Sequence, residues 1–81
     1  MIRRNHIRRT LLRLEARHPE HKEAICKILS DENLLGQAVD KVKADLGDPP
    51  PNFPILDWLW NNRQRIIQII LAIIALLATG S

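Results

Sequence analysis

An apolar run near the C-terminal end of the sequence constrains this chain more than any other feature. Residues 66–79 carry no charge, and only Gln68 and Thr79 among them are polar. A helix over this run has apolar side chains on almost every side, so water is not a stable environment for it. We therefore expect the run to lie in a lipid bilayer or to be enclosed by other protein.

The flanking residues favour a bilayer, although the run is short for a membrane span. As a helix it extends about 21 Å, whereas the hydrocarbon core of a bilayer is about 30 Å thick. Arg63 and Arg65 precede the run, where arginine side chains can extend towards lipid headgroups. Trp58 and Trp60 match the aromatic belt of a membrane interface. We predict that these four residues lie at the interface; the alternative is that the tryptophans pack on the rest of the protein.

One face of the predicted C-terminal helix differs from the others. Steps of three and four residues place polar and then small side chains in one stripe. The stripe, which we call the polar–small seam, contains Asp57, Asn61, Gln64, Gln68, Ala72, Ala75 and Thr79. In a bilayer, small residues let helix backbones approach closely, and a glutamine can hydrogen-bond across the contact. We predict that the seam packs against another helix; the alternative is chance, since alanine is common in apolar segments.

Three shorter amphipathic helices are predicted before the apolar run. Apolar residues recur at helical spacing over residues 2–17, 19–29 and 30–46. Pro19 suits the first turn of the second helix, and Gly47 is a favourable stop for the third.

The sequence therefore predicts an all-α protein with three parts. Residues 1–47 form a helical head that is basic in its first part and acidic in its second. Residues 48–54 include three successive prolines, which favour an extended and fairly stiff strut. Residues 55–79 form one anchoring helix of transmembrane type. The head has few large apolar residues, so we expect it to be only marginally stable without a partner.

Arginine is concentrated in the first predicted helix. The net charge of the chain is only +3, because 9 acidic residues offset 12 lysines and arginines. Most of the acidic residues lie in residues 28–57, away from this helix. The arginines concerned are Arg3, Arg4, Arg8, Arg9, Arg13 and Arg17. Since arginine makes bidentate contacts with phosphate and carboxylate groups, we predict that these residues bind a polyanion or an acidic partner. The alternative is a solvated helix face. No aromatic residue is interleaved with them in sequence, so any nucleic-acid binding is expected to be non-specific.

No sequence motif favours catalysis. His18, His21 and Cys26 do not match an established zinc-binding spacing. A single cysteine excludes an internal disulfide framework. A glycine-rich phosphate loop is also missing from the sequence. We expect a protein that is not an enzyme and that uses no cofactor or metal.

These observations predict a structural adaptor that is anchored in a membrane by its C-terminal helix. The basic residues favour a head on the cytoplasmic side, or at the internal membrane of a virion. A minor membrane protein of a lipid-containing virion, or a small accessory subunit of a membrane complex, would have this tail-anchored form. The expected partners are the bilayer and other protein subunits, in a homo- or hetero-oligomer.

Three alternatives remain open at this point. The chain could be a membrane-perturbing oligomer of the holin or toxin type, or a non-specific nucleic-acid tether at a membrane. It could also be a soluble helical subunit whose apolar run is buried in protein.

Overall fold

The computed structural model describes residues 1–79, which form five α-helices and one short 3₁₀ turn. In chain order these are α1 (Arg4–Arg17), the 3₁₀ turn (Pro19–His21), α2 (Lys22–Ser30), α3 (Glu32–Leu46), α4 (Ile55–Asn61) and α5 (Arg63–Thr79). This part of the chain contains no strand. The prediction of an all-α fold is confirmed.

The boundaries of the first three helices have local chemical causes. Pro19 prevents α1 from continuing past His18, because the residue before a proline avoids the helical conformation. Pro19 also begins the 3₁₀ turn that leads into α2. The Asp31 side chain accepts hydrogen bonds from the backbone N–H groups of Asn33 and Leu34, at 2.9 and 3.3 Å, and so caps α3. Gly47 ends α3 with a φ of 72°, a conformation that glycine adopts without strain.

One hydrophobic core joins all five helices. The C-terminal helices supply part of it, rather than standing apart from the head. The fully or largely buried apolar side chains are Ile2, Ile7, Leu11, Leu14, Ile25, Ile28, Leu34, Leu35, Ala38, Val39, Val42, Leu59, Ile66, Ile67, Ile70 and Ile73.

Four isoleucines attach α5 to α2 and α3. Ile66, Ile67, Ile70 and Ile73 follow steps of one, three and three residues, which place them on one side of the helix, and all four are buried. An ion pair between Arg65 Nε and the Asp45 carboxylate, at 2.9 Å, joins the start of α5 to the end of α3. Helix α5 therefore runs back along α3.

The proline-rich segment differs from the predicted strut. The Phe53 N–H donates to the carbonyl of Pro50 at 3.0 Å, which closes a turn inside residues 48–54. The chain then reverses direction so that α4 packs on α1 and α5 packs on α2 and α3. The local preference of proline for extended backbone does not separate the two halves, because burial of the isoleucines draws them together.

The prediction of one helix over residues 55–79 is wrong, because the segment is broken into α4 and α5. The two helices are bent by 74° relative to each other. Asn62 lies at the break, where its side-chain Nδ2 donates to the carbonyl of Trp58 at 2.8 Å. An asparagine side chain that bonds to local backbone competes with helical hydrogen bonding and favours a helix end.

The length of the helices bears on the prediction that this segment spans a membrane. Among the described helices, none is by itself both long enough and apolar enough to cross a bilayer. Helices α4 and α5 reach that length and composition only when they are taken together as a bent pair.

We predict that α5 is part of the folded core in water. Replacing Ile70, which is 2% exposed, by alanine should lower the free energy of unfolding by about 2–5 kcal/mol, because it leaves a cavity in the core. The measurement is urea unfolding followed by far-UV circular dichroism. The control is Leu76→Ala, at a position that is 63% exposed, which should change the value by less than about 0.5 kcal/mol. Equal effects of the two substitutions would contradict the packing of α5 on the head.

Candidate interaction surfaces

The bend of 74° divides the predicted polar–small seam, so that Asp57 and Asn61 lie on α4 and its other members lie on α5. Its members Asp57, Asn61, Gln64, Gln68, Ala72, Ala75 and Thr79 are all exposed. The face that packs within the chain is the isoleucine face instead. The seam is thus free to meet another helix, and its role in helix association stays a prediction.

The last part of α5 is apolar and, apart from the partly buried Ile74, exposed. Ile73 is the last buried residue of the chain as described. Beyond it Leu76 and Leu77 are 63% and 42% exposed, and Leu71 on the same helix is 39% exposed. We call residues 74–79 the apolar end of α5. A surface of this kind is unfavourable in water and is typical of a contact with lipid or protein.

An open groove of about 460 Å³ runs between α3 and α5. Its lining includes Lys41, Asp45 and Arg65 together with Gln68 and Ala72 of the seam. Arg65 makes two contacts to Asp45 there, at 2.9 and 3.2 Å. The seam is therefore one wall of a groove that could receive a side of another helix.

The four residues predicted at a membrane interface make contacts within the chain. Arg65 pairs with Asp45, and Arg63 and Trp60 contact each other. Trp58 packs edge-on against Phe53, with ring centroids 6.2 Å apart. Its Nε1 is buried and finds no hydrogen-bond acceptor among residues 1–79. Contact with headgroups stays a prediction for these residues.

The arginines of α1 fall into two groups, and the first pairs with Glu32. Arg4 and Arg8 both form ion pairs with the Glu32 carboxylate, the second at 3.7 Å. Gly36 makes room for this pair, because a Cβ there would lie 3.0 Å from the guanidinium of Arg4. These two arginines bridge α1 and the start of α3 at the protein surface. Arg3, at the start of α1, is exposed.

The second group of arginines surrounds Trp60. The guanidinium carbons of Arg13, Arg63 and Arg17 lie 4.0, 4.9 and 5.9 Å from the centre of its ring. Such cation–π contacts hold a guanidinium in place over the indole. Arg63 Nη1 also donates to the Trp60 carbonyl at 2.9 Å. Arg9 belongs to the same group, because it lines a cavity of about 90 Å³ together with Arg13 and Trp60.

We call Arg9, Arg13, Arg17, Arg63 and Trp60 the Trp60 cluster. None of its four arginines forms an ion pair with a carboxylate in the part of the chain that the structure describes. The contribution of Trp60 and Arg63 has no signal in the sequence, because α4 meets α1 only through the tertiary fold. Binding of a polyanion by the arginines of α1 stays a prediction.

The histidines and the cysteine form no recognisable reactive centre. The rings of His18 and His21 lie 6.2 Å apart, and His18 Nδ1 is 3.4 Å from Glu20. The Cys26 thiol donates to Glu15 at 3.4 Å, and this hydrogen bond raises the pKa of the thiol. Within residues 1–79 no three His, Cys, Asp or Glu side chains are grouped so that they could hold a metal ion.

Comparison of the chain with protein families, with curated proteins and with solved structures found no match. A functional proposal for this chain therefore depends on its geometry. That geometry defines a small all-α protein with an apolar helix end and a separate cluster of arginines.

The stability of the start of α1 should depend on pH through the protonation of His6. The backbone N–H of Arg3 donates to His6 Nδ1 at 2.9 Å, which requires the unprotonated nitrogen. Partial burial, then the positive N-terminus, Arg3 and Arg9, lower the pKa of His6 below its ordinary value of 6.5. The folded state thus favours neutral His6, so its stabilising contribution is present above pH 6.5 and is lost as the pH falls through the lowered pKa.

We expect the NMR titration midpoint of His6 to lie below 6.5 in the folded protein. The same titration in concentrated urea gives the reference midpoint. His6→Gln should reduce the loss of stability on acidification. A folded midpoint at or above the reference would contradict this account of the start of α1.

Proposed function

We propose that the protein is a non-enzymatic structural adaptor that attaches to a lipid bilayer by the end of α5 and presents α1 to a second partner. The observation that carries the proposal is the continuation of α5 past Ile73, its last buried residue, as an uncharged helix with exposed leucines. Burial of those leucines in lipid is favourable in proportion to the apolar area removed from water. The head remains folded while this happens, because the isoleucine face stays on α2 and α3.

The geometry favours shallow insertion over a full span. Inserted end-on, residues 74–79 reach about 9 Å into the bilayer, which is well short of its hydrocarbon core of about 30 Å. A span by α4 and α5 requires the bend of 74° to straighten. It also removes four isoleucines from the core. Insertion of the apolar end of α5 requires neither change.

A second candidate is a subunit whose apolar helix is covered by protein rather than by lipid. The groove between α3 and α5 favours it, because Gln68 and Ala72 of the seam form one of its walls. A helix of a neighbouring subunit packed there would also approach the exposed Leu71. This candidate keeps the adaptor role and replaces the bilayer by a protein surface.

A membrane pore receives less support from α5. A pore needs a continuous polar surface through the apolar zone. Between Arg65 and Thr79 the only polar side chain is Gln68. The exposed side of α5 is otherwise alanine and leucine, which suits dry contacts.

Vesicle flotation tests the proposed attachment. Purified protein should float with vesicles of phosphatidylcholine, whose uncharged surface leaves the apolar contact as the main attraction. Leu76→Gln should lower the partition coefficient between vesicles and water at least tenfold, since one buried leucine contributes about 1.5–3 kcal/mol. The matched control is Leu12→Gln on α1, which changes the same residue type at a position that is 53% exposed and should float normally.

Two outcomes would count against this mode of attachment. If the wild-type protein stays in the soluble fraction as a defined oligomer, the protein-covered candidate replaces it. If the floated protein resists alkaline carbonate extraction, α5 spans the bilayer and the shallow insertion is wrong.

A further inference from the structure

We infer that the Trp60 cluster binds the phosphodiester backbone of nucleic acid, without sequence preference. This goes beyond the proposed membrane attachment and relies on it only for the choice of nucleic acid over lipid. The cluster is the surface on which α1 and α4 bring together Arg9, Arg13, Arg17 and Arg63 around one indole.

The first support is uncompensated charge. Three of the other four arginines have a carboxylate partner, because Arg4 and Arg8 share Glu32 and Arg65 pairs with Asp45. Arg3, at the start of α1, forms no ion pair within residues 1–79. The four arginines of the Trp60 cluster form no such pair within residues 1–79. Positive groups held this close raise the local potential, which attracts a polyanion.

The second support is that the arginines are held in position before binding. Three guanidinium groups lie within 6 Å of the Trp60 ring centre, at 4.0, 4.9 and 5.9 Å. Side chains that are already ordered lose less conformational entropy when a ligand binds. The planar guanidinium donates two parallel hydrogen bonds to a phosphate, which an ammonium group cannot do.

The spacing along α1 also suits a polymer of regular charge. Arg9, Arg13 and Arg17 are each four residues apart, so they lie on one side of the helix in steps of about 6 Å. Arg63 lies beside this row, because it contacts the same indole as Arg13. A row of this kind can contact successive phosphates of one strand.

The position of the cluster argues against lipid headgroups as its ligand. Arg63 begins α5, and the exposed apolar end of α5 finishes it. The distance between Arg63 and Thr79 along the helix is about 24 Å. Charges on a surface are screened beyond a Debye length of about 8 Å in physiological salt. A bilayer that takes up the end of α5 therefore does not reach the cluster.

The regular spacing of the arginines favours the evenly spaced phosphates of nucleic acid over the irregularly placed carboxylates of an acidic protein surface. With Arg13 stacked 4.0 Å from the ring centre, Trp60 positions arginines and does not offer that face to a base. Recognition is thus limited to the backbone.

Salt dependence gives a quantitative test. Four phosphate contacts to duplex DNA should make the logarithm of the binding constant fall with the logarithm of salt concentration with a slope of about −3.6. The measurement is fluorescence anisotropy of a labelled mixed-sequence duplex, titrated with the full chain in the absence of lipid. Arg17→Gln should make the slope shallower by about 1, since it removes one contact.

Matched variants separate this site from general charge. Lys27→Gln removes the same charge from an exposed position on α2 and should leave the slope unchanged. Arg13→Gln is a second cluster variant, with its helicity checked by circular dichroism because Arg13 also joins α1 to α4. In the Trp58→Phe background, Trp60 is the only tryptophan, and its emission should change when the duplex binds.

Each other result would overturn the inference. Absence of duplex binding, or equal slopes for Arg17→Gln and Lys27→Gln, would show that the cluster is not the site. Equally tight binding of poly-glutamate would identify carboxylates as the ligand. Binding to phosphatidylserine vesicles that Arg17→Gln abolishes, without duplex binding, would identify lipid headgroups. Flotation on phosphatidylcholine is measured separately, so its failure leaves the duplex result intact.

Discussion

The packing of the isoleucine face of α5 on α2 and α3 is the interaction on which the rest of the structure depends. Burial of Ile66, Ile67, Ile70 and Ile73 contributes about 1.5–3 kcal/mol for each side chain. The sum has the same order as the whole stability of a typical domain, about 5–15 kcal/mol. A head of α1 to α3 alone would leave the facing side chains of α2 and α3 in water. The apolar run is therefore a structural element of the folded head.

The bend at Asn62 follows from this packing and creates the arginine cluster. Helix α5 must follow α3, while Leu59 of α4 is buried in the core beside α1. One straight helix cannot satisfy both contacts. The break of 74° resolves the conflict and places Trp60 against Arg13 and Arg17. The same break thus separates a charged surface at the start of α5 from an apolar surface at its end.

Local chemistry made the all-α fold and most helix boundaries predictable. Pro19 and Gly47 act on neighbouring backbone, so their effects can be read from the sequence. The packing of α5 could not be read in this way. A helix that is apolar on nearly all sides has no periodic signal to show which side is buried. Three prolines predicted an extended strut, but their local preference is small beside the burial of the isoleucines.

The candidate surfaces were predictable in composition but not in arrangement. The arginines of α1 were found from their density in sequence, and the leucines of α5 from the apolar run. Contacts between residues distant in sequence divide those arginines into a group that pairs with Glu32 and a group that surrounds Trp60. Because α5 is both core and apolar end, any partner that draws the whole helix away would also unfold the head. An attachment that takes only residues 74–79 keeps α1 folded and the Trp60 cluster assembled, which an adaptor requires.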